Sequence, residues 1–261
     1  TITRVNVSDN EMGFYNHGTF IVDGGGTITT LDAKDNSILR LIQNTGTLTL
    51  KDVEIVNKGI PTTNEHYWEG VLTEGENSKL TIDGATIRTP SRGMLEDYST
   101  QKYGARTVQV SGGTLVILSG NIINESDSKG YALENDYMEK TIIRISGGTL
   151  TSNYRGISVG NSRGNDLDVL ISGGTVTATE EAIVVNNGYA GTKAFEITGG
   201  KLVSTNNFAI NNPTTSSIVI GDASKALSTE VPEIVGNEYA IRVTNGFNFN
   251  SGVLKGTGAK P

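Results

Sequence analysis

Four polar stretches hold most of the side chains that could do chemistry: EDYSTQKYGAR at 96–106, ENDYMEK at 134–140, GNSRGNDLD at 160–168 and NNGYAGTK at 186–193. They bring forward Tyr98, Lys102, Tyr103, Tyr137, Lys140, Arg163 and Tyr189. Tyrosine rings beside amide, acidic and basic groups suit sugar recognition, because a ring covers the C–H face of a sugar and polar groups take its hydroxyls. Polar loops that tolerate Tyr at their tips have the same composition. Trp68, in His66-Tyr67-Trp68, is the sole Trp; exposed it would anchor a ligand or partner, and folded back it would cover the side of the molecule.

Calcium is the one cofactor the residues raise. Asn165, Asp166 and Asp168, following Asn161, cluster oxygen ligands as a hard cation requires, and Asp32, Asp35 and Asn36 do so earlier. Neither cluster has EF-hand spacing, and Asx-rich turns account for both without a metal. Enzyme signals are sparse. The two histidines, His17 and His66, lie far apart outside any HExxH frame, and no nucleophile elbow or phosphate loop occurs. Glu96-Asp97, Glu134 with Asp136, and Glu180-Glu181 offer carboxylates, but nothing in the sequence opposes a pair of them across a sugar bond.

The elements that must position these loops follow from a repeat. SGGTLT, SGGTVT and TGGKLV put Gly147, Gly173 and Gly199 at 26-residue intervals, and SGGTLV recurs at 111–116. Short β-type runs with Gly and Asn punctuation at such a period indicate a solenoid. The runs suggest three strands per coil. A first strand alternates inward pairs: Phe20/Val22, Leu48/Leu50, Leu80/Ile82, Val108/Val110, Ile143/Ile145, Val169/Ile171, Phe195/Ile197, Ile218/Ile220 and Phe247/Phe249. A second aligns Ile87, Leu115, Leu150, Val176 and Leu202. A third aligns Val71, Met94, Leu133, Ile157, Ile183, Ile210 and Ile241, each after a Gly or Ala. The expected fold is all-β, a right-handed parallel β-helix of about nine coils over a single domain at 1–261, with residues 1–18 as an N-terminal cap.

In this register the four polar stretches line one edge, which would put Tyr103, Tyr137 and Tyr189 together. The stretches at 57–70, 124–130 and 226–238 occupy the opposite corner. Thr114, Thr149 and Thr175 would stack on the outer face of the second sheet beside Thr151 and Thr177. Such an array can match an ice lattice, but Lys201 and Val203 interrupt it, and β-propensity explains the threonines more simply.

Composition narrows the partners. The net charge is −7 and the 21 basic residues form no run, which argues against nucleic acid. With no Cys, neither disulfides nor thiolate metal sites are available. No apolar run approaches a membrane span, and TITRVNVSDNE at the start has no signal-peptide core. The abrupt start and end read as an excised piece of a longer protein, and a monomer is expected.

ISGGTLT, ISGGTVTA, ITGGKL, YAIRV and the closing FNFNSGVLKGTGAKP resemble the pectate-lyase-like β-helix class. More closely, over residues 20–260, they are similar to Gly-rich β-helical segments of large Gram-positive (Firmicute) surface proteins. Some relatives in that class bind plant cell-wall polysaccharide without catalysis, and others are adhesin stalks. The DH, RxPxxR, NTD and GHG signatures of pectate lyases and polygalacturonases are absent, as are the repeated Asp-rich calcium turns of the cellulose-binding relatives. The resemblance implies an extracellular domain at the bacterial cell surface that adheres to a plant-type polysaccharide, a host glycan or a protein. A carbohydrate-active enzyme, lyase or hydrolase, using the loop edge is the alternative, and a structural spacer is a further one.

Overall fold

The computed structural model describes residues 12–30, 40–58, 69–90, 105–126, 130–135, 139–160, 166–186, 195–225 and 231–258. Each circuit of the chain contributes one strand to each of three parallel nine-stranded sheets. Sheet A stacks β1 (Met12–Asn16), β4 (Arg40–Asn44), β7 (Glu69–Glu74), β10 (Arg106–Ser111), β13 (Tyr131–Asn135), β16 (Arg155–Val159), β19 (Ile183–Val185), β22 (Ile210–Asn212) and β25 (Ile241–Val243). Sheet B stacks β2 (Thr19–Asp23), β5 (Thr47–Lys51), β8 (Lys79–Asp83), β11 (Gly113–Ile117), β14 (Thr141–Ile145), β17 (Leu167–Ile171), β20 (Phe195–Ile197), β23 (Ile218–Ile220) and β26 (Asn248–Phe249). Sheet C stacks β3 (Thr27–Thr29), β6 (Glu54–Val56), β9 (Thr86–Thr89), β12 (Asn121–Asn124), β15 (Thr149–Ser152), β18 (Thr175–Ala178), β21 (Lys201–Ser204), β24 (Glu233–Gly236) and β27 (Val253–Gly256). This is a parallel β-helix with three strands per coil.

Alternation within each strand makes the core. Leu50, Ile82, Ile117, Ile145, Ile171, Ile197 and Ile220 form one buried column on sheet B. Ile55, Ile87, Ile122, Leu150, Val176, Leu202 and Ile234 form its counterpart on sheet C. Side chains at the same height in successive coils pack directly on one another, so each coil can bury its apolar side only against its neighbours. The B–C corner needs a tight bend, supplied by Gly84, Gly120, Gly148, Gly174 and Gly200, all with φ between +78° and +101°. A Cβ on Gly174 would stand 2.8 Å from the Gly147 carbonyl oxygen of the coil before, so the bend leaves room for hydrogen only.

The structure corrects the register around residue 110. Val108 and Val110 belong to sheet A, where they pair with Val71 and Thr73, and Leu115 with Ile117 take the expected places on sheet B. Leu115 therefore leaves the sheet C column, which continues through Ile122 instead. Met94 lies outside the described residues, and Val108 occupies the sheet A position assigned to it. The cause is a phrase used at two different corners. Gly112 and Gly113, with φ +125° and +76°, turn the chain from sheet A to sheet B, whereas Gly147-Gly148 turns it from B to C. A glycine pair answers a local demand for positive φ and close approach, which either corner makes. The counterpart of Gly148-Thr149 is Gly120-Asn121, with Asn121 in register with Thr149.

Three further expectations change with it. Thr114 pairs with Lys79 and Ile142 on sheet B and stands apart from the threonines of sheet C, where Thr149 meets Thr175 and Thr151 meets Thr177. The described residues of 226–238, 231–238, enter and contain β24 of sheet C, whereas 57–58 leave sheet C and 69–70 open β7 of sheet A, so the described parts of the two stretches do not share a corner. Residues 12–16 are a full strand of sheet A rather than part of a cap.

Candidate functional site

The outer face of sheet A carries two columns of side chains, one at the C–A corner and one three residues further on. The corner column runs Arg40, Glu69, Arg106, Tyr131 and Arg155. It continues through Glu181, joined to Arg155, and through Phe208 to Tyr239. The second runs Tyr15, Gln43, Leu72, Gln109, Glu134, Ser158, Val184, Asn211 and Arg242.

In the first half of the rod this face is a buried network of charges. Arg40 Nε stands 3.3 Å from Glu69 Oε2, and Arg106 pairs with Glu134. The Gln109 amide, oriented so that its nitrogen donates to Glu69 Oε1 at 2.8 Å and its oxygen accepts from Arg106 at 3.2 Å, ties the two pairs together. Glu69 is 1% exposed. Its burial pushes the carboxyl up to about 7, against the opposing pull of the Arg40 and Arg106 guanidinium groups. Glu69 and Glu134 are thus carboxylates held by arginines and enclosed.

The second half is open and aromatic. Arg155 Nε donates to Glu181 Oε2 at 2.7 Å, while Glu181 Oε1 accepts from Asn211 at 3.2 Å and Asn207 at 3.4 Å. Asn207 also reaches Glu180 Oε2 at 3.3 Å. Arg155 lies 4.8 Å over the Tyr154 ring, and Tyr154 meets Tyr131 edge-on at 6.5 Å. Partial burial raises the Tyr154 phenol above its ordinary value, so it stays a neutral donor. Two coils further, Phe208 and Tyr239 stack with centroids 6.1 Å apart and planes 12° from parallel, and Arg242 lies 5.5 Å from the Phe208 ring. Tyr239 is 49% exposed. Exposed ring faces, guanidinium groups and amides oriented by carboxylates form a surface that can cover a sugar ring and bond its hydroxyls.

Most residues expected to form a site lie outside the described residues: Trp68, Tyr98, Lys102, Tyr103, Tyr137, Arg163, Asn165 and Tyr189. Lys140 is exposed just before β14, and its carbonyl accepts from the Gly113 amide at 2.9 Å. Asp166 is exposed, with its carbonyl accepting from Thr141, while the Asp168 carboxylate accepts from Arg144 at 2.6 Å. Among the described residues no group of three or more acidic or His side chains converges on a common point. His17 sits on the first coil, 2.7 Å from the Thr45 hydroxyl and away from the aromatic strip.

Tyr131, Tyr154, Arg155, Phe208, Tyr239 and Arg242 were not singled out by loop chemistry, and Glu181 was raised only as half of the Glu180-Glu181 carboxylate pair. A signal for the corner column does exist in the sequence. Tyr131, Arg155, Glu181, Phe208 and Tyr239 each stand two residues before the inward aliphatic of a sheet A strand (Leu133, Ile157, Ile183, Ile210, Ile241). Compared with protein families, curated proteins and solved structures, the chain matches none of them.

Proposed function

We propose that this chain is a non-catalytic polysaccharide-binding β-helix of the bacterial cell surface, acting in adhesion through the aromatic strip at the C–A corner. The stacked Phe208–Tyr239 pair, with Tyr239 half exposed beside Arg242 and Asn211, carries the reading. Two rings spaced along parallel strands can follow consecutive sugars of an extended chain, and the amides and guanidinium groups alongside supply direction. Placement at the cell surface rests on the resemblance of the Gly-rich repeats to bacterial surface proteins. The arginine partners of Glu69 and Glu134 favour binding over glycosidic cleavage, since a hydrolase needs two carboxyl groups free to face one bond.

A glycan array spanning plant cell-wall polysaccharides and host glycans tests the proposal, using the wild type, Phe208→Ala and Tyr239→Ala. Saturable binding weakened by both substitutions supports it; no binding, or binding indifferent to both, sinks it. Incubation with the same polysaccharides, followed by product analysis, separates binding from cleavage.

A further inference from the structure

In the coils of β16, β19 and β22, each flanked by a coil on both sides, the aromatic strip is edged by a second column of side chains. Tyr154, Glu180 and Asn207 stand three residues before the inward Ile157, Ile183 and Ile210, beside the column of Arg155, Glu181 and Phe208. Neighbours in this column are bonded to each other. The Glu180 amide donates to the Tyr154 carbonyl at 2.8 Å, and Asn207 Nδ2 donates to Glu180 Oε2 at 3.3 Å. The chain crosses the corner here in short turns, residues 153–154, 179–182 and 205–209. Glu238 takes the same position before Ile241, so three carboxylates (Glu180, Glu181 and Glu238) stand against two guanidinium groups, Arg155 and Arg242.

What remains free for a ligand in these coils is mostly acceptors. The buried Glu181 carboxylate is taken up by Arg155, Asn207 and Asn211. Arg155 in turn donates to Glu181 and to the Tyr131 hydroxyl. Glu180 is partly exposed, and its Oε1 has no partner among the described residues. Asn211 gives its Nδ2 to Glu181, which leaves its Oδ1 without a hydrogen-bond partner. A carboxylate oxygen accepts and never donates, so Glu180 calls for hydroxyl donors and repels another carboxylate or a sulfate. Arg242 has no carboxylate partner among the described residues, but it lies against Phe208, two coils from Glu180. The charge of −7 on the whole chain opposes a polyanion at longer range.

Spacing adds a direction. Tyr154 and Phe208 belong to coils two apart, about 10 Å along the rod. A sugar in an extended chain is about as long as one coil is high, so the two rings meet alternate sugars and Glu180 faces the hydroxyls of the sugar between them. Resting on the polysaccharide-binding reading above, we propose that the strip selects a neutral polysaccharide laid along the rod axis and rejects uronic-acid and sulfated chains, with Glu180 as the residue that makes the choice. The aromatic rings supply contact area that any sugar can use, whereas the unpaired Glu180 oxygen distinguishes a hydroxyl from an anion.

Titration calorimetry of the full chain decides the matter, with neutral hexasaccharides of glucose, mannose or xylose set against hexamers of galacturonic acid and of a sulfated sugar. The best neutral chain should bind at least roughly tenfold more tightly than either anionic one. Its affinity should hardly change between about 20 and 500 mM salt, and should fall steeply when the chain is cut to a disaccharide. Glu180→Ala should weaken it roughly tenfold, and Glu180→Lys should turn the preference toward galacturonate. An anionic chain that binds the wild type as tightly as the best neutral one overturns the selection while leaving polysaccharide binding intact. A folded Glu180→Ala variant with unchanged affinity and preference overturns it too, and a disaccharide that binds as well as the hexasaccharide overturns the axial placement. Failure of every chain, neutral and anionic, overturns both this proposal and the binding reading beneath it. Should a variant fail to fold, the wild-type ranking and salt series are sufficient by themselves.

Discussion

Arg155 and Glu181 stand one coil apart in the same column, joined by a hydrogen bond of 2.7 Å, with the Glu181 side chain only 4% exposed. This pair holds the middle of the aromatic strip: Arg155 lies over Tyr154, and Glu181 orients Asn207 and Asn211. Replacing Arg155 with Met leaves a buried carboxylate with amide donors alone. Chemical denaturation should show a loss of about 2 kcal/mol, below the value for a fully buried pair because Arg155 is partly solvated. Adding Glu181→Gln should recover part of that loss, and a double-mutant cycle reads the coupling.

The strip itself should respond ring by ring. Phe208→Ala and Tyr239→Ala are each expected to cost about 1 kcal/mol of glycan affinity, roughly fivefold, measured by titration calorimetry. Tyr239→Phe should retain most of it if the ring face, rather than the hydroxyl, makes the contact.

Glu69 makes stability depend on pH. Burial raises its carboxyl from 4.5 to about 7, opposed in part by Arg40 and Arg106. The folded state therefore binds its proton more tightly than the unfolded chain does. The stabilisation from that proton is fully present below pH 4.5 and is lost as pH rises through about 7. The difference is on the order of 3 kcal/mol. Melting temperatures recorded between pH 4 and pH 8 (~ the span enclosing both values) should fall more steeply for the wild type than for Glu69→Gln. Equal slopes would show that the Glu69 carboxyl is not raised in the folded state.

The corner glycines should be unequal to other glycines. Gly174→Ala places a Cβ against the Gly147 carbonyl at a φ of +81°, and should destabilise by at least about 2 kcal/mol. Gly246 has open space around it, so Gly246→Ala should change stability by less than about 0.5 kcal/mol. Thermal unfolding of the two variants makes the comparison.

Local pattern is enough to define the class of fold, the three-strand coil and most of the inward columns. Alternation across a strand and a near-constant repeat are local properties, and Ile143/Ile145 or Val169/Ile171 display them without any partner. Tertiary structure alone decided which corner each glycine phrase turns. SGGTLV at 111–116 and SGGTLT at 146–151 meet the same local demand, so only the requirement that Val108 stack on Val71, and Ile122 between Ile87 and Leu150, separates them. The strip of Tyr131, Arg155, Glu181, Phe208 and Tyr239 depends on that register in turn. These residues are 24 to 31 positions apart in the chain and share a surface because each coil stacks on the one before, which makes neighbours of side chains that differ by one full turn.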